Sequence, residues 1–329
     1  MGLAVLLVAA GTAAVSLGPV PIAPGDVAGI LAAHLGLPAD GVTAQDVLVV
    51  EQLRLPRVLV AVLAGAALGV AGAVMQALFG NPLAEPGVTG VSSGAAVGAV
   101  LAIVSGAAGT LALPAAAFAG ALVMVAVIYA IGASGRDRGM ATVLLAGIAL
   151  NALLGAVVSV LVANAPDEQS LRGIVFWLQG DLDARTWEHV RLVAVPVLAG
   201  VAATLAFSRD LNVLLLGDDA ARTGGVDVTR TRHVLLVLAS LLAGAAVSVS
   251  GVIGFVGLVA PHVVRLAAGP DHRLLLPASA LLGAAFLVLA DTAARMSPVQ
   301  VALQTGVVTA FAGAPVFLLL VLWSRRSAR

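Results

Sequence analysis

Residues 58–78, VLVAVLAGAALGVAGAVMQAL, decide the fold of this chain. The stretch contains no charged residue, and it is long enough to cross a bilayer as an α-helix, which takes about 20 apolar residues. The rest of the chain resembles it, since 60% of the 329 residues are hydrophobic and 10% are charged. This composition predicts an all-α polytopic membrane protein whose main solvent is lipid.

Similar apolar runs recur along the chain and predict about ten transmembrane helices. They lie near residues 3–20, 58–78, 91–110, 113–133, 141–162, 190–207, 233–250, 252–268, 274–292 and 304–323. Only Gly251 separates two of these runs, so hydropathy alone leaves a count of nine open. We interpret the first run as a span because it lacks the basic start of a signal sequence, with cleavage as the alternative.

Arginine supplies all 17 basic residues, and its distribution predicts an orientation. With ten spans and the N-terminus inside, eleven arginines lie in cytoplasmic segments and six outside, which the positive-inside rule favours. We therefore predict a multi-pass membrane protein with both termini in the cytoplasm. Because the chain has no lysine, it cannot supply the lysine of a Walker A loop.

An internal repeat is visible between residues 63–67 and 242–246, which both read LAGAA. The same offset pairs Gly72 with Gly251, Pro82 with Pro261 and Gly90 with Gly269. In the predicted topology the two copies run in opposite directions, so we predict an inverted repeat, a common transporter plan. The halves are about 57–162 and 232–323 of a single transmembrane domain, 1–329. Chance similarity between Ala/Gly-rich helices is the alternative.

Prolines interrupt two otherwise apolar segments. Asn81, Pro82 and Pro86 in the first, and Pro261 in the second, are predicted to break the helical hydrogen bonding. Non-helical backbone at membrane depth is tolerated only against protein or water, so these breaks could line or hinge a path. A pair of interfacial turns is an equal alternative.

A series of motifs resembles the FecCD-like permeases, which are subunits of ABC importers for iron siderophores, haem and vitamin B12. In chain order they are 54–57 RLPR, 65–68 GAAL, 81–87 NPLAEPG, 144–147 LLAG, 254–262 GFVGLVAPH, 271–277 DHRLLLP and 306–309 GVVT. The resemblance implies a type II ABC importer permease of ten helices per subunit in the bacterial inner (cytoplasmic) membrane. It also implies a homodimer, two cytoplasmic ATPase subunits that use ATP and Mg, and an external substrate-binding protein.

The resemblance assigns docking of the binding protein to Arg54, Arg57 and Arg295 at the outer face. Arginine suits this role because its planar fork binds a carboxylate through two hydrogen bonds. Ordinary interfacial arginines that reach towards lipid headgroups are the alternative.

The cytoplasmic segment 214–232 is predicted to contain a short capped helix followed by a turn. The resemblance implies that this is the coupling helix seated in the ATPase, and a solvated loop is the alternative. Its candidate residues are Asp218, Asp219, Ala221, Arg222 and Gly224.

The resemblance also implies a cytoplasmic gate and a translocation path. The gate residues are Gly139, Met140, Ala141 and Thr142. Since only Thr142 carries a hydroxyl, we expect an apolar constriction around Met140. The fifth and tenth spans are expected to line the path, with Gly147, Asn151 and Thr309 as wall residues. A local hydrogen bond within the helix is the alternative for Asn151 and Thr309.

We expect transport without catalysis, because no cluster of His, Asp or Ser residues predicts a reactive site. No metal site and no cofactor are predicted on this chain, and no nucleic-acid partner. The family resemblance implies the cargo, which we expect to be an iron chelate, with ferric siderophore first, haem second and cobalamin third. An ion-coupled secondary transporter is the alternative, but it needs carboxylates within the membrane, and Asp291 lies only at the end of a span.

Overall fold

The computed structural model describes residues 1–33, 42–133, 140–297 and 303–327, which contain α-helices and no strand. The first helices are α1 Gly2–Ser16, α2 Pro24–Ala33, α3 Ala44–Leu48, α4 Leu55–Leu78, α5 Val91–Val104, α6 Ala112–Ala133, α7 Met140–Ala163 and α8 Glu168–Leu178. The others are α9 Trp187–Ala206, α10 Ser208–Leu214, α11 Asp218–Thr223, α12 Val228–Ser250, α13 Val256–Ala268, α14 His272–Arg295 and α15 Thr305–Ser327.

Six helical segments in the described ranges are long and apolar enough to cross a membrane. They are Ala44–Leu78, which joins α3 to α4 through a π-helical turn, and the helices α6, α7, α9, α12 and α14. The other four predicted spans coincide with shorter apolar helices, namely α1, α5, α13 and the Thr305–Leu319 part of α15. The all-α polytopic class is therefore as predicted, whereas the count of about ten spans stays a prediction.

Helix α4 lies at the centre and packs against both α14 and α12. Glycine makes this possible, because a methyl group added at Gly65, Gly69 or Gly72 would lie 2.4, 2.2 or 1.8 Å from a backbone oxygen of a neighbouring helix. The facing residues are Gly283 and Ser279 of α14 and Gly257 of α13. Small residues therefore let the helix backbones come into direct contact, which stabilises helix pairs in lipid.

The two halves repeat their packing partners. The first helix of each half packs on the third helix of the other half: α4 packs on α14, and α12 packs on α6. Within each half, the second helix packs on the third: α5 packs on α6, and α13 packs on α14. The LAGAA copies lie in α4 and α12, which occupy corresponding places in this arrangement. Further along, the pairing from sequence fails locally, because Gly72 lies inside α4 whereas Gly251 ends α12.

The chain leaves the helical conformation after α4, where the prolines and Asn81 predict a break. Gly80 and Gly90 both have positive φ, and a short 3₁₀ turn, Pro86–Thr89, lies between them. The side chain of Asn81 accepts a hydrogen bond from the backbone N–H of Leu83 at 2.9 Å. We call residues 80–90 the first break.

The second break does not lie at Pro261, and that prediction is wrong. Helix α13 runs without interruption from Val256 to Ala268 through Pro261. Proline removes only one hydrogen bond there, the one to the carbonyl of Gly257, and the remaining bonds of the helix hold its course. The chain instead breaks over residues 251–255, where Gly251 has φ 65° and ψ −168° and Phe255 has φ 68°.

Helix α7 lies at the periphery of the single chain. Of its residues only Val143 and Gly147 are buried, although its sequence is apolar throughout. An apolar helix with so little contact inside its own chain needs lipid, a second copy or an apolar cargo against it.

Candidate functional site

Asp291, near the C-terminal end of α14, is the centre of a buried polar cluster. Its carboxylate accepts hydrogen bonds from Nε and Nη2 of Arg57, the shortest at 2.9 Å. It also accepts from Nε of Arg295 at 3.2 Å and from the hydroxyl of Thr305 at 2.9 Å. One carboxylate therefore links α4, α14 and α15, and two guanidinium groups compensate its burial.

Arg57 extends this cluster to the surface. Its Nη1 donates to Asp183 at 2.7 Å, and the Asp183 side chain is 75% exposed, against 13% for Arg57. Asp183 lies in the loop between α8 and α9. A carboxylate from outside could reach Arg57 most easily where Asp183 now binds it. The docking role of Arg57 stays a prediction, and its geometric basis is the exposed place that Asp183 occupies beside the guanidinium.

Arg54 lies inside the protein, where it holds the end of α1. It is only 5% exposed, and its guanidinium donates to the backbone oxygens of Val15, Ser16 and Val20. The last carbonyls of a helix lack partners within the helix, so an arginine is a natural donor for them. This placement contradicts the prediction that Arg54 offers its fork to a binding protein.

Arg295 has a mixed role. Besides Asp291, it donates to the backbone oxygens of Ala14 at 2.9 Å and Leu17 at 3.3 Å, so it also holds the end of α1. Its docking role stays a prediction. The contacts of Arg54 and Arg295 with the end of α1 leave no signal in the sequence, because they involve only backbone atoms of that segment.

The predicted coupling segment lies at the opposite end of the bundle from Asp291. Helix α12 begins next to α11 and ends at Ser250, whose carbonyl accepts from the N–H of Asp181 close to Arg57. Asp218 forms two hydrogen bonds with Arg232, at 2.9 and 2.7 Å, which attach α11 to α12. Ala221 is buried, whereas Asp219, Arg222 and Gly224 are exposed. The short helix and the turn after it are present as predicted, but among the described residues no side chain caps the N-terminus of this helix, where Gly217 stands.

A second contact at this end, which sequence reasoning missed, joins α10 to α14. The Asn212 side chain donates to Asp271 at 2.6 Å and accepts from the backbone N–H of His272 at 2.8 Å. The N–H of Arg273 and the amide of Asn212 lower the pKa of the exposed Asp271 carboxyl. Asp271 is therefore charged where it caps α14. The sequence could have indicated this cap, because Asp271 stands just before an apolar run.

The predicted gate is described only in part, because Gly139 lies outside the described residues. Met140, Ala141 and Thr142 are the first residues of α7. Ala141 is exposed, and Met140 and Thr142 are half-buried. They lie at the same end as α11, and their gating role stays a prediction.

Two of the predicted wall residues hold the first break. Asn151 of α7 donates to the carbonyl of Gly87 at 3.0 Å and accepts from the hydroxyl of Ser93 at 2.6 Å. Gly147 lies so close that an added methyl group would be 2.2 Å from the oxygen of Val88. Helix α7 is therefore attached to the first break by one side chain and one backbone contact.

Thr309 is fully buried, and its hydroxyl bonds the carbonyl of Gly306 in its own helix, so the structure does not place it in a path wall. A groove of about 540 Å³ runs beside α15 instead. It is lined by Leu178, Gln179, Val252, Gly306, Val307, Ala310, Phe311, Ala314 and Pro315. Helical spacing of the apolar residues of α15 could have identified this wall, whereas the search for polar residues could not.

Comparison with known proteins places this geometry in a family. The family model described as the FecCD transport family matches residues 6–323. The chain belongs to the FecCD transport family. It is 48% identical over 280 residues to the cobalamin import system permease protein BtuC of Halobacterium salinarum, covering 85% of this chain and 75% of that one.

Other relatives agree. The hemin transport system permease protein HmuU of Yersinia pestis is 44% identical, covering 83% of each chain. The vitamin B12 import system permease protein BtuC of Escherichia coli O9:H4 is 42% identical, covering 88% of each. A solved structure described as an inward-facing conformation of a metal-chelate type ABC transporter matches with a TM-score of 0.85 and 32% identity, covering 98% and 97%. This chain is thus a permease subunit of an ABC importer, and an ion-coupled transporter is not supported.

Proposed function

We propose that the chain carries a bulky metal chelate of the cobalamin or haem class across the cytoplasmic membrane, with cobalamin first and haem second. The observation that carries the proposal is the 48% identity with a cobalamin import permease over 85% of the chain. The sequence alone ranked ferric siderophore first. We now rank that cargo third, behind the two cargoes that the names of the reported relatives carry.

The translocation path is proposed to lie between two copies of the chain, along α7 and α15. Both helices expose apolar side chains in the single chain, including Phe311, which is 78% exposed beside the α15 groove. A wall with few hydrogen-bonding groups binds a large chelate weakly, and weak binding lets the cargo leave. We also propose that the chain crosses the membrane ten times and that both of its termini lie in the cytoplasm.

Two ATPase subunits are proposed to act on α11, and a substrate-binding protein on the surface around Arg57 and Asp183. The support for the first is that α11 presents Asp219 and Arg222 to solvent while Asp218 and Ala221 fix it to the bundle. The support for the second is the partly exposed ion pair at the opposite end. The two surfaces can then communicate only through the helices between them.

Uptake by proteoliposomes tests this function. The permease is reconstituted with its ATPase and binding protein, and vesicles are offered cyanocobalamin, haem and a ferric siderophore in separate experiments. We expect cobalamin to accumulate only when ATP, Mg and the binding protein are all present. Accumulation of only haem or only siderophore would show that this compound, and not cobalamin, is the cargo. Uptake driven by a proton or sodium gradient without ATP would overturn the importer mechanism.

A further inference from the structure

The N-terminal end of α15 is held at two points by buried groups. The hydroxyl of Thr305 donates to Asp291 at 2.9 Å, and both residues are almost fully buried. The N–H of Gly306 donates to the carbonyl of Gly180 at 3.0 Å, and an added methyl group at Gly306 would lie 2.1 Å from the oxygen of Gln179. The position of α15 is therefore set directly by Asp291 and by the turn after α8.

Asp291 is also linked to the surface through Arg57. Its carboxylate shares Arg57 with the exposed Asp183. A carboxylate that binds Arg57 from outside would replace Asp183 and draw the guanidinium outwards. The hydrogen bonds from Arg57 to Asp291 would then lengthen, and the charge on Asp291 would be left to Arg295 and Thr305. Such changes matter in a buried site, where charge interactions are weakly screened.

We propose that Asp291 and Thr305 are positioning residues that transmit docking of the binding protein at Arg57 to α15, a helix that forms one wall of the groove. This inference rests on the proposed function, because it takes Arg57 as a docking residue. Val307, Ala310 and Phe311 follow Thr305 in the groove wall, so a movement of the N-terminal end of α15 changes the groove itself. The chain thereby links the docking contact at Arg57 to the groove beside α15 through its own residues alone.

A purely structural role for the same bond is the competing explanation, since Thr305 is the first residue of α15. In that case its loss would destabilise the helix start without affecting communication. The chain offers a matched control on the same helix. Thr309 is as buried as Thr305, but its hydroxyl bonds only the carbonyl of Gly306 in its own helix among the described residues.

The test compares Thr305→Val, Thr305→Ser and Thr309→Val in the complete complex, reconstituted with ATPase and binding protein. The readouts are basal ATPase activity, stimulation by the binding protein, and affinity for the binding protein. We expect Thr305→Val to reduce the stimulation about threefold, the usual effect of one hydrogen bond between membrane helices, with basal activity and affinity unchanged. Thr305→Ser should restore stimulation, and Thr309→Val should leave it unchanged.

Full stimulation in Thr305→Val, or an equal loss in Thr309→Val, would overturn the proposal. If the unmodified complex shows no stimulation and no uptake, the proposed function itself fails, so the two failures are distinguishable. A second measurement covers the case in which Thr305→Val assembles poorly. The chain has no cysteine, so Phe311→Cys can carry a spin label without other changes. Its distance to the second copy should shift on docking, and Thr305→Ser should keep the shift.

Discussion

The first break, residues 80–90, and the second break, residues 251–255, interrupt the two halves in corresponding places but are held by different means. Side-chain hydrogen bonds from Asn151 hold the first, in addition to one close backbone contact from α7. Backbone contacts hold the second, since Gly251 lies against the carbonyl of Trp177. A polar side chain tolerates small adjustments, whereas a backbone contact at a glycine does not. We therefore expect the second break to be the more sensitive to substitution.

The largest effect is expected for Gly251→Ala. Its φ of 65° and ψ of −168° lie in a region that only glycine adopts readily, and its added methyl group would be 2.3 Å from the oxygen of Trp177. Strain and clash together should cost about 3 kcal/mol or more. The melting temperature of the detergent-solubilised protein should fall sharply.

Gly254→Ala is the matched control for this change, because it lies in the same break with no atom within 4 Å of the added methyl group and no positive φ. It should melt close to the unmodified protein. Equal melting of the two variants would show that the second break is not held at Gly251.

The next effect is expected at the first break for Gly147→Ala. The added methyl group would lie 2.2 Å from the oxygen of Val88, so α7 must move away, at a cost of about 1–3 kcal/mol. Gly155→Ala, on the same helix with nothing within 4 Å, should have little effect. Melting temperature and uptake should both fall only in the first variant. A Gly147→Ala protein as sensitive as Gly251→Ala would remove the contrast between the breaks.

The sequence predicted the first break because proline and asparagine leave a local signal in an apolar run. It misplaced the second because the deciding groups are Gly251 and Phe255, and Gly251 lies against Trp177, which is far away in the chain. Apolar runs likewise predicted the helices well. The roles of Arg54 and Thr309 could not be predicted, because what each side chain contacts depends on which way its helix faces after packing.

A smaller effect is expected for Asn151→Leu, which removes the side-chain bonds that distinguish the first break. The hydroxyl of Ser93 and the carbonyl of Gly87 would lose a partner, at a cost of about 1 kcal/mol. Ser159→Ala is the control, since its hydroxyl bonds the carbonyl of Gly155 in α7 itself. Uptake should fall more in Asn151→Leu than in the control. Identical uptake would mean that backbone contacts alone hold this break as well.

The smallest effect is expected for Pro261→Ala, and it tests whether proline has any part in the second break. Because Pro261 lies inside the unbroken α13, alanine can restore the missing hydrogen bond to Gly257 without moving the helix. Stability should therefore stay the same or rise by about 1 kcal/mol, with uptake retained. Pro86→Ala, at the start of the 3₁₀ turn in the first break, should lower both, since proline favours that turn. Loss of uptake in a stable Pro261→Ala protein would instead mean that α13 bends at Pro261 during transport, and the second break would then extend beyond Phe255.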